Sequence, residues 1–215
     1  KQEYLLTPIS LESETFAQNL IDMAKDYASI MCLEYEKKKD EVVILGTDFA
    51  IEDDPRKAQK NDTDFFSIVA LCYNTQTWER RILNAFRERG IKKQIQLNYL
   101  IIWDVKYNAN YIGTETHGFL KWVGQDLPDR VRNKLIDTGT HKSKYDLFEG
   151  IPSMVYEWEK GLYSIPYGDD YSRAIANILF GELRDLASSE HDDMADALLR
   201  AEKVIKNNET AQIGY

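Results

Sequence analysis

The sequence predicts an α/β domain in which helices pack on a mixed β-sheet. Three observations support this class. Short β-branched or aliphatic runs recur in the first two thirds of the chain, a short turn joins two of them as antiparallel neighbours, and the last third has mainly helical periodicity. The antiparallel pair argues against a wholly parallel sheet.

The strands are predicted from apolar runs that are bounded by turn residues. The first is Val42–Leu45, which ends at Gly46. The next two, Phe65–Tyr73 and Trp78–Phe86, flank a short turn at Asn74–Thr77, so we expect them to be antiparallel. Further strands are predicted at Tyr111–Gly113 and Lys134–Asp137, and a hairpin or edge strand within Gly161–Gly168.

Helices are predicted where apolar residues recur every three or four positions. These segments are Phe16–Tyr35, Ile91–Tyr107, Gly118–Val123, Tyr145–Lys160, Tyr171–Ala187 and Glu190–Lys206. The periodicity of the second segment places Asp104 on the helix surface, where we expect a solvated charge. Trp103, Trp122 and Trp158 have apolar neighbours and are expected in the core.

Length and composition limit the class of protein further. With 215 residues, 43% hydrophobic and 29% charged, the chain suits one large domain with a proper core rather than a disordered protein. No apolar run approaches the roughly 20 residues of a membrane span, and the N-terminus lacks a signal-peptide pattern. Cys32 and Cys72 are too few for a disulfide framework or a thiolate zinc site. We therefore expect an intracellular protein with no membrane association.

The net charge of −9 argues against a protein that holds nucleic acid by bulk electrostatics, since such proteins usually carry a positive excess. It is compatible with an enzyme that concentrates carboxylates in one place to hold divalent metal ions. The sequence contains no GxxxxGK[ST], HExxH or GxSxG motif, so none of those chemistries competes with this interpretation.

Three groups of acidic residues are candidates for such a site. Asp48 follows the first predicted strand, where open α/β sheets bind ligands, although a turn-forming Asp is the simpler interpretation of this residue alone. Glu115 follows another short strand, and the two acids would emerge side by side if those strands are neighbours. Asp192, Asp193 and Asp196 cluster on one side of the last predicted helix. They could complement the helix dipole, but their mutual repulsion favours a bound cation.

Together these acids predict a site for divalent cations. Mg²⁺ prefers oxygen ligands from a few carboxylates. Two such ions about 3.5–4 Å apart can activate the attacking water and stabilise the leaving oxygen of a phosphodiester. That arrangement requires acids from separate elements to converge, which two strand ends and an acidic helix would provide.

Five segments, taken in order, resemble the C-terminal nuclease domain of the large terminase subunit of tailed bacteriophages, which has an RNase H-like (RuvC-like) fold. They are GTDFA (46–50), NYIGTETHGFL (110–120), THKSKYD (140–146), EWEKGLYSIP (157–166) and HDDMADAL (191–198). The last is the most specific, and the resemblance covers about Val42–Ile205. The family fold implies a mixed five-stranded sheet with its first three strands antiparallel, flanking helices and an extra C-terminal β-hairpin or edge strand.

The resemblance also implies a division of the chain. Residues 1–40 would be a linker or helical extension from an absent ATPase domain, residues 41–207 the nuclease domain and residues 208–215 a flexible tail. The implied activity is metal-dependent endonucleolytic cutting of concatemeric viral DNA during genome packaging, with little sequence specificity.

Carried onto this sequence, the resemblance makes Asp48, Glu115 and Asp193 the catalytic acids that hold two Mg²⁺ or Mn²⁺ ions. Asp196 would be a further metal ligand. The pattern does not decide between Asp192 and Asp193, and we favour Asp193, with Asp192 in an accessory role.

Several other residues near these motifs are candidates for supporting roles. His117 and His191 flank proposed acids and would orient a water or contact a phosphate, or else be ordinary structural or surface histidines. The basic candidates for DNA contact are Lys142, Lys144, Arg130 and Arg132, with a solvated surface as the alternative.

The implied partners are non-specific double-stranded DNA, the ATPase domain of the same polypeptide, a portal protein and a small terminase subunit. The implied location is the cytoplasm of the infected bacterial host. Another RNase H-like nuclease such as a junction resolvase is one alternative, and a catalytically silent docking module of the packaging motor is another. A plain α/β binding domain would leave the clustered acids unexplained.

Overall fold

The computed structural model describes residues 15–31, 34–50, 56–57, 60, 63, 65–115, 126–139, 143–186, 188–189 and 191–213, with the side chains of residues 209–213 excepted. In these ranges the chain forms seven strands, β1 Lys25–Asp26, β2 Glu41–Asp48, β3 Phe65–Asn74, β4 Arg80–Arg89, β5 Tyr111–Thr114, β6 Leu135–Asp137 and β7 Tyr163–Pro166. They form one sheet in the order β1-β7-β4-β3-β2-β5-β6.

Helices cover both faces of this sheet. They are α1 Gln18–Ala24, α2 Lys93–Lys106, α3 Asp129–Arg132, a 3-10 helix at Ile151–Met154, α4 Val155–Glu159, α5 Asp170–Arg184 and α6 Asp193–Ile213. Helix α6 continues past residue 208, where the tail was predicted to begin; the division into domains itself stays a prediction. None of the described helices is both long and apolar enough to cross a membrane.

The pairing of the strands confirms the RNase H-like mixed sheet. Strands β2, β3 and β4 are successively antiparallel, whereas β5 is parallel to β2 and β6 is parallel to β5. The sheet has more strands than the predicted five, because β7 and β1 extend it beyond β4. Strand β7 lies parallel to both of its neighbours, so it is an added strand and not half of a hairpin.

Alternation of side chains along β2 sends apolar residues into two separate cores. Ile44 packs on the face that is covered by α1, α5 and α6. Val43 and Leu45 pack on the opposite face, under α2. Trp158 and Trp103 are buried, one in each core, as predicted, whereas Trp122 lies outside the described residues.

Two glycines allow α6 to lie directly on the sheet. A β-carbon at Gly46 would fall 1.8 Å from the carbonyl oxygen of Ala197, and one at Gly113 would fall 2.5 Å from that of Arg200. Because only glycine lacks that carbon, backbone meets backbone at both crossings. The start of α6 is thereby placed over the carboxyl ends of β2 and β5.

Some of the predicted elements were wrong in detail. Asp104 is buried, at 3% exposure, and Lys134 Nζ donates to its Oδ1 at 2.7 Å, because helical periodicity does not reveal what packs against each face. The helix predicted at Phe16–Tyr35 ends at Ala24, where β1 begins. The helix predicted at Tyr145–Lys160 starts only with the 3-10 turn at Ile151–Met154, and that of Gly118–Val123 lies outside the described residues.

Candidate metal centre

The ends of two neighbouring strands supply the first two acids of the candidate centre. Gly46 of β2 pairs with Gly113 of β5 in a parallel register. Each glycine is followed by a threonine and then by an acid, Asp48 on one strand and Glu115 on the other. Side chains two residues apart lie on the same face of a strand, so Asp48 and Glu115 both face α6, as their glycines do. The structure therefore brings these two acids to one edge of the sheet.

A buried arginine of α6 connects these acids with the helix. Arg200 is only 6% exposed, and its Nη2 donates to Glu115 Oε2 at 2.9 Å and to Asp196 Oδ2 at 3.1 Å. Burial opposes the charge of Arg200, but the negative charges of Asp196, Asp48 and Glu115 raise its pKa above the ordinary value. Three of the predicted acids thus lie around one guanidinium group.

Asp192, just before α6, has a different cation. Lys144 Nζ donates to Asp192 Oδ1 at 2.6 Å. Burial lowers the pKa of Lys144, but its hydrogen bond to Asp192 and the negative charges around it outweigh burial and raise that pKa. Asp192 is 6% exposed, and its buried Oδ2 has no hydrogen-bond partner among the residues that the structure describes. A buried carboxylate oxygen in this state is suited to a positive ligand.

Asp193, which we favoured as the third catalytic acid, has other partners. Its Oδ1 accepts the backbone N–H of Phe65 at 3.0 Å, and its Oδ2 lies 3.9 Å from His191 Nδ1. The contact with Phe65 ties the first residue of α6 to the first residue of β3. Because β3 is antiparallel to β2, this is the same edge of the sheet as Asp48.

Beside Asp193, Glu182 of α5 is buried between two donors. Its Oε2 accepts the N–H of Ala195 at 2.8 Å, and its Oε1 forms an ion pair with Arg87. Burial is the largest cause that raises the pKa of Glu182 to about 7; the N–H of Ala195 and the charge of Arg87 oppose it, and the negative charge of Asp193 adds to it.

The remaining predicted residues make most of their contacts with groups other than the acids. His191 Nε2 lies 2.6 Å from Arg89 Nη2, and its ring contacts Phe65 edge-on. Arg130 and Arg132 are exposed on α3, where Arg132 pairs with Asp129 at 3.1 Å. His117 and Lys142 lie outside the described residues.

Across the described ranges, no three His, Cys, Asp or Glu side chains lie close enough together to hold a metal ion. The acids are instead paired with Arg200 and Lys144. The donor set still fits a divalent cation such as Mg²⁺, because it consists of carboxylate oxygens, and two of them, Asp192 Oδ2 and Asp193 Oδ2, are buried.

Reasoning from the sequence missed Arg200 and Glu182. Arg200 stands four residues after Asp196, a spacing that places the two side chains side by side on a helix, so this contact was open to prediction. The Gly-Thr-acid pattern occurs twice, at 46–48 and 113–115, and this repetition was a second signal in the sequence that the two strand ends belong to one site. Glu182 had no comparable signal, because its partners come from distant parts of the chain.

The sheet and the acidic strand ends place the chain in the RNase H-like class. Within that class it belongs to the terminase RNase H-like domain family, whose model matches residues 45–202. A search of curated proteins finds no match.

Solved structures of similar fold include the large terminase nuclease domain of Thermus phage P74-26, with 18% identity, 88% of this chain and 94% of that chain covered, and a TM-score of 0.55. The large terminase nuclease of thermophilic phage G20c with bound cobalt has 18% identity, coverage of 88% and 96%, and a TM-score of 0.53. Its form with bound zinc has 19% identity, coverage of 87% and 96%, and a TM-score of 0.50. At these identities the likeness concerns the fold.

Proposed function

We propose that this chain is the nuclease domain of a phage large terminase subunit and cuts concatemeric viral DNA during genome packaging in a metal-dependent reaction. The observation that carries the proposal is the arrangement of Asp48, Glu115 and Asp196 around one buried guanidinium at the carboxyl ends of β2 and β5. A pair of divalent cations needs several carboxylate ligands that converge on one point, and acids from two strands and a helix can provide them.

Two Mg²⁺ or Mn²⁺ ions would supply an activated water and stabilise the leaving oxygen of the cleaved phosphodiester. Asp48, Glu115 and Asp196 are the residues that would hold them, together with an acid at the start of α6. The sequence pattern does not decide which acid this is, and we favoured Asp193 from it. The contacts favour Asp192, because it already holds a cation, Lys144, whereas Asp193 Oδ1 accepts the Phe65 N–H. The bound cobalt and zinc of the G20c nuclease support a divalent cofactor.

Lys144 is the residue that we assign to the scissile region of the DNA. Its side chain is 42% exposed while its amine bonds the buried Asp192, so the positive charge is held at the edge of the acidic centre. There it can contact a phosphate and offset part of the repulsion between DNA and the carboxylates. The DNA affinity of the isolated chain should be weak and should fall with salt because the net charge is −9.

The partners follow from the proposed role. An ATPase domain in the same polypeptide would raise the local DNA concentration that this acidic domain cannot reach alone. A portal protein and a small terminase subunit would complete the packaging machine in the cytoplasm of the infected host.

Cleavage of supercoiled plasmid tests this function. The wild-type chain should nick and then linearise the plasmid with Mn²⁺ or Mg²⁺ and should be inactive with EDTA. Asp48→Ala should lower the rate at least ~100-fold, because it removes a ligand from the centre. Asp170→Ala is the matched control, since it removes an equally charged but exposed acid of α5, and it should cut as the wild type does.

Equal cutting by wild type, Asp48→Ala and Asp170→Ala would overturn the catalytic assignment and leave a docking module as the better interpretation. Three exposed apolar residues on α2, Ile95, Ile102 and Val105, favour docking as a second role. Strong preference for four-way junctions over linear duplex would indicate a junction resolvase instead.

A further inference from the structure

Arg200 is held in the candidate centre by its backbone. Its carbonyl oxygen lies where a β-carbon of Gly113 would be only 2.5 Å away, so helix α6 and strand β5 are in direct contact at this point. The backbone of Arg200 is therefore fixed against the sheet, and only its side chain can move relative to the acids.

The guanidinium fills the space between acids from two separate elements. A single nitrogen, Nη2, contacts both Glu115 Oε2 at 2.9 Å and Asp196 Oδ2 at 3.1 Å. A divalent cation held by the same two carboxylates would replace the contacts that this nitrogen makes. Arg200 and such a cation would therefore compete for these oxygens.

The hydrogen bonds of Arg200 are incomplete for a buried arginine. Its buried Nε has no hydrogen-bond partner in the described part of the chain, and its Nη1 reaches the carbonyl oxygen of Thr138 only at 3.4 Å. Arg80, buried elsewhere in the same domain, shows the contrast: its Nε donates to Glu202 at 2.8 Å and its Nη1 to the Trp78 carbonyl at 2.7 Å. The surroundings of Arg200 thus supply enough negative charge for its guanidinium but too few hydrogen-bond acceptors for its N–H groups.

We propose that Arg200 is a built-in counter-ion of the metal centre, an inference that rests on the proposed function. Its guanidinium neutralises the acids while no metal is bound, and it must withdraw from Glu115 or Asp196 when a divalent cation binds. It is a positioning residue, since it acts on the ligands and not on the DNA. It stabilises the metal-free domain and, by the same contacts, weakens the affinity for metal.

Direct measurement of Mn²⁺ binding tests the inference without reference to cleavage. Titrations followed by electron paramagnetic resonance and calorimetry would compare the wild type with Arg200→Met. Because one positive charge beside the cation and one competing donor are removed, the variant should bind Mn²⁺ at least ~10-fold more tightly. Its melting temperature should be below that of the wild type without metal, and Mn²⁺ should raise it by more degrees.

Lys203→Met is the matched control. Lys203 lies one turn further along α6, is partly buried and donates to the same Thr138 carbonyl oxygen at 3.4 Å. The negative charges of Asp196 and Glu115 act on it as well, but in the described structure it makes no hydrogen bond or ion pair with either acid. Its loss should change Mn²⁺ affinity less than 3-fold. Equal tightening in both variants would mean that net charge alone is responsible and would overturn the inference, as would unchanged or weaker binding in Arg200→Met.

A measurement on the wild type keeps the inference testable if Arg200→Met fails to fold. The side-chain Nε–Hε resonance of Arg200, assigned by its absence from Arg200→Lys, should shift as Mg²⁺ saturates the protein. An unchanged resonance at saturation would overturn the inference, as would the absence of Mn²⁺ binding in both wild type and variant. If Mn²⁺ binding changes as expected but the wild type does not cut plasmid, the counter-ion role stands and the proposed nuclease function fails.

Discussion

The backbone of Gly46 lies so close to Ala197 that a β-carbon on the glycine would be 1.8 Å from the alanine carbonyl oxygen. This contact joins the strand that ends in Asp48 to the helix that carries Asp196. It sets the distance between the helix and the strand end. It therefore also sets the distance between Asp48 and Asp196, two acids of the proposed centre.

Gly46→Ala should therefore destabilise the whole domain. The clash is with backbone atoms of α6, which cannot rotate away as a side chain can, so the free energy of unfolding should fall by about 3 kcal/mol or more. Urea denaturation followed by circular dichroism would measure the change. The control is Gly181→Ala in the last turn of α5, where a β-carbon meets nothing within 4 Å. That substitution should stabilise the protein by about 0.5–1 kcal/mol. A wild-type unfolding curve for Gly46→Ala would contradict the close approach.

The buried carboxyl group of Glu182 should make stability fall as pH rises. Its pKa is raised from the ordinary 4.5 to about 7. Between these two pH values the folded protein therefore holds a proton on Glu182 that the unfolded chain has released. The stabilisation is complete below pH 4.5 and is lost as pH rises through 7, for a change of up to about 3 kcal/mol. Unfolding free energies measured between pH 4.5 and pH 8 would show it.

Glu182→Gln provides the comparison, since its side-chain oxygen can still accept the N–H of Ala195 but carries no titrating proton. The difference in unfolding free energy between variant and wild type should shift in favour of the variant as pH rises through this window. Parallel pH profiles for the two proteins would show that Glu182 has an ordinary pKa.

Two ion pairs of this domain should differ sharply in their contribution to stability. Arg80 and Glu202 are buried together, with 3% and 0% of their side chains exposed. Arg80→Met leaves the carboxylate without its cation and should cost about 3–5 kcal/mol in the free energy of unfolding. The control is Arg173→Met, which breaks the exposed pair with Asp170 and should cost about 1 kcal/mol or less.

A double variant separates the loss of the buried pair from a loss of packing around it. Adding Glu202→Gln to Arg80→Met removes the uncompensated charge and should restore much of the stability. If the double variant is as unstable as Arg80→Met, packing of the arginine side chain, and not the stranded carboxylate, is the cause.

The adjacent acids at the start of α6 should respond differently to neutralisation. Asp193→Asn keeps an oxygen that accepts the Phe65 N–H and removes a negative charge beside Glu182. The metal-free protein should stay folded and melt about 2–4 °C higher, as expected for roughly 1 kcal/mol in a chain of this size. Thermal melts monitored by circular dichroism would measure this. A large fall in melting temperature would instead make the carboxylate of Asp193 a structural cap of α6.

Asp192→Asn should weaken Mn²⁺ binding at least ~10-fold, because it alters a buried acid that already holds a cation, the Lys144 ammonium group, at the edge of the centre. Calorimetric titration of this variant beside Asp193→Asn decides which acid is the ligand. Weaker binding only in Asp193→Asn would identify Asp193, the acid that we favoured from the sequence, as the ligand.

The strand ends of the site were predictable, because Asp48 and Glu115 each follow a short apolar run and the carboxyl ends of neighbouring parallel strands share an edge. Strand β1 was not, since two residues, Lys25 and Asp26, show no periodicity and form a strand only because β7 lies beside them. The burial of Asp104 depends in the same way on Lys134, a partner thirty positions away that no local pattern reveals. Contacts between distant segments are thus what the sequence left undecided.

The two glycine crossings under α6 also bear on how this domain can diverge. Where a helix rests on a sheet through side chains, each replacement of a packed residue changes the gap between them. At Gly46 and Gly113 the touching atoms on the helix are main-chain oxygens, which every amino acid possesses. Residues elsewhere on α6 can therefore be exchanged over generations while the gap, and the reach of the carboxylates across it, remains the same.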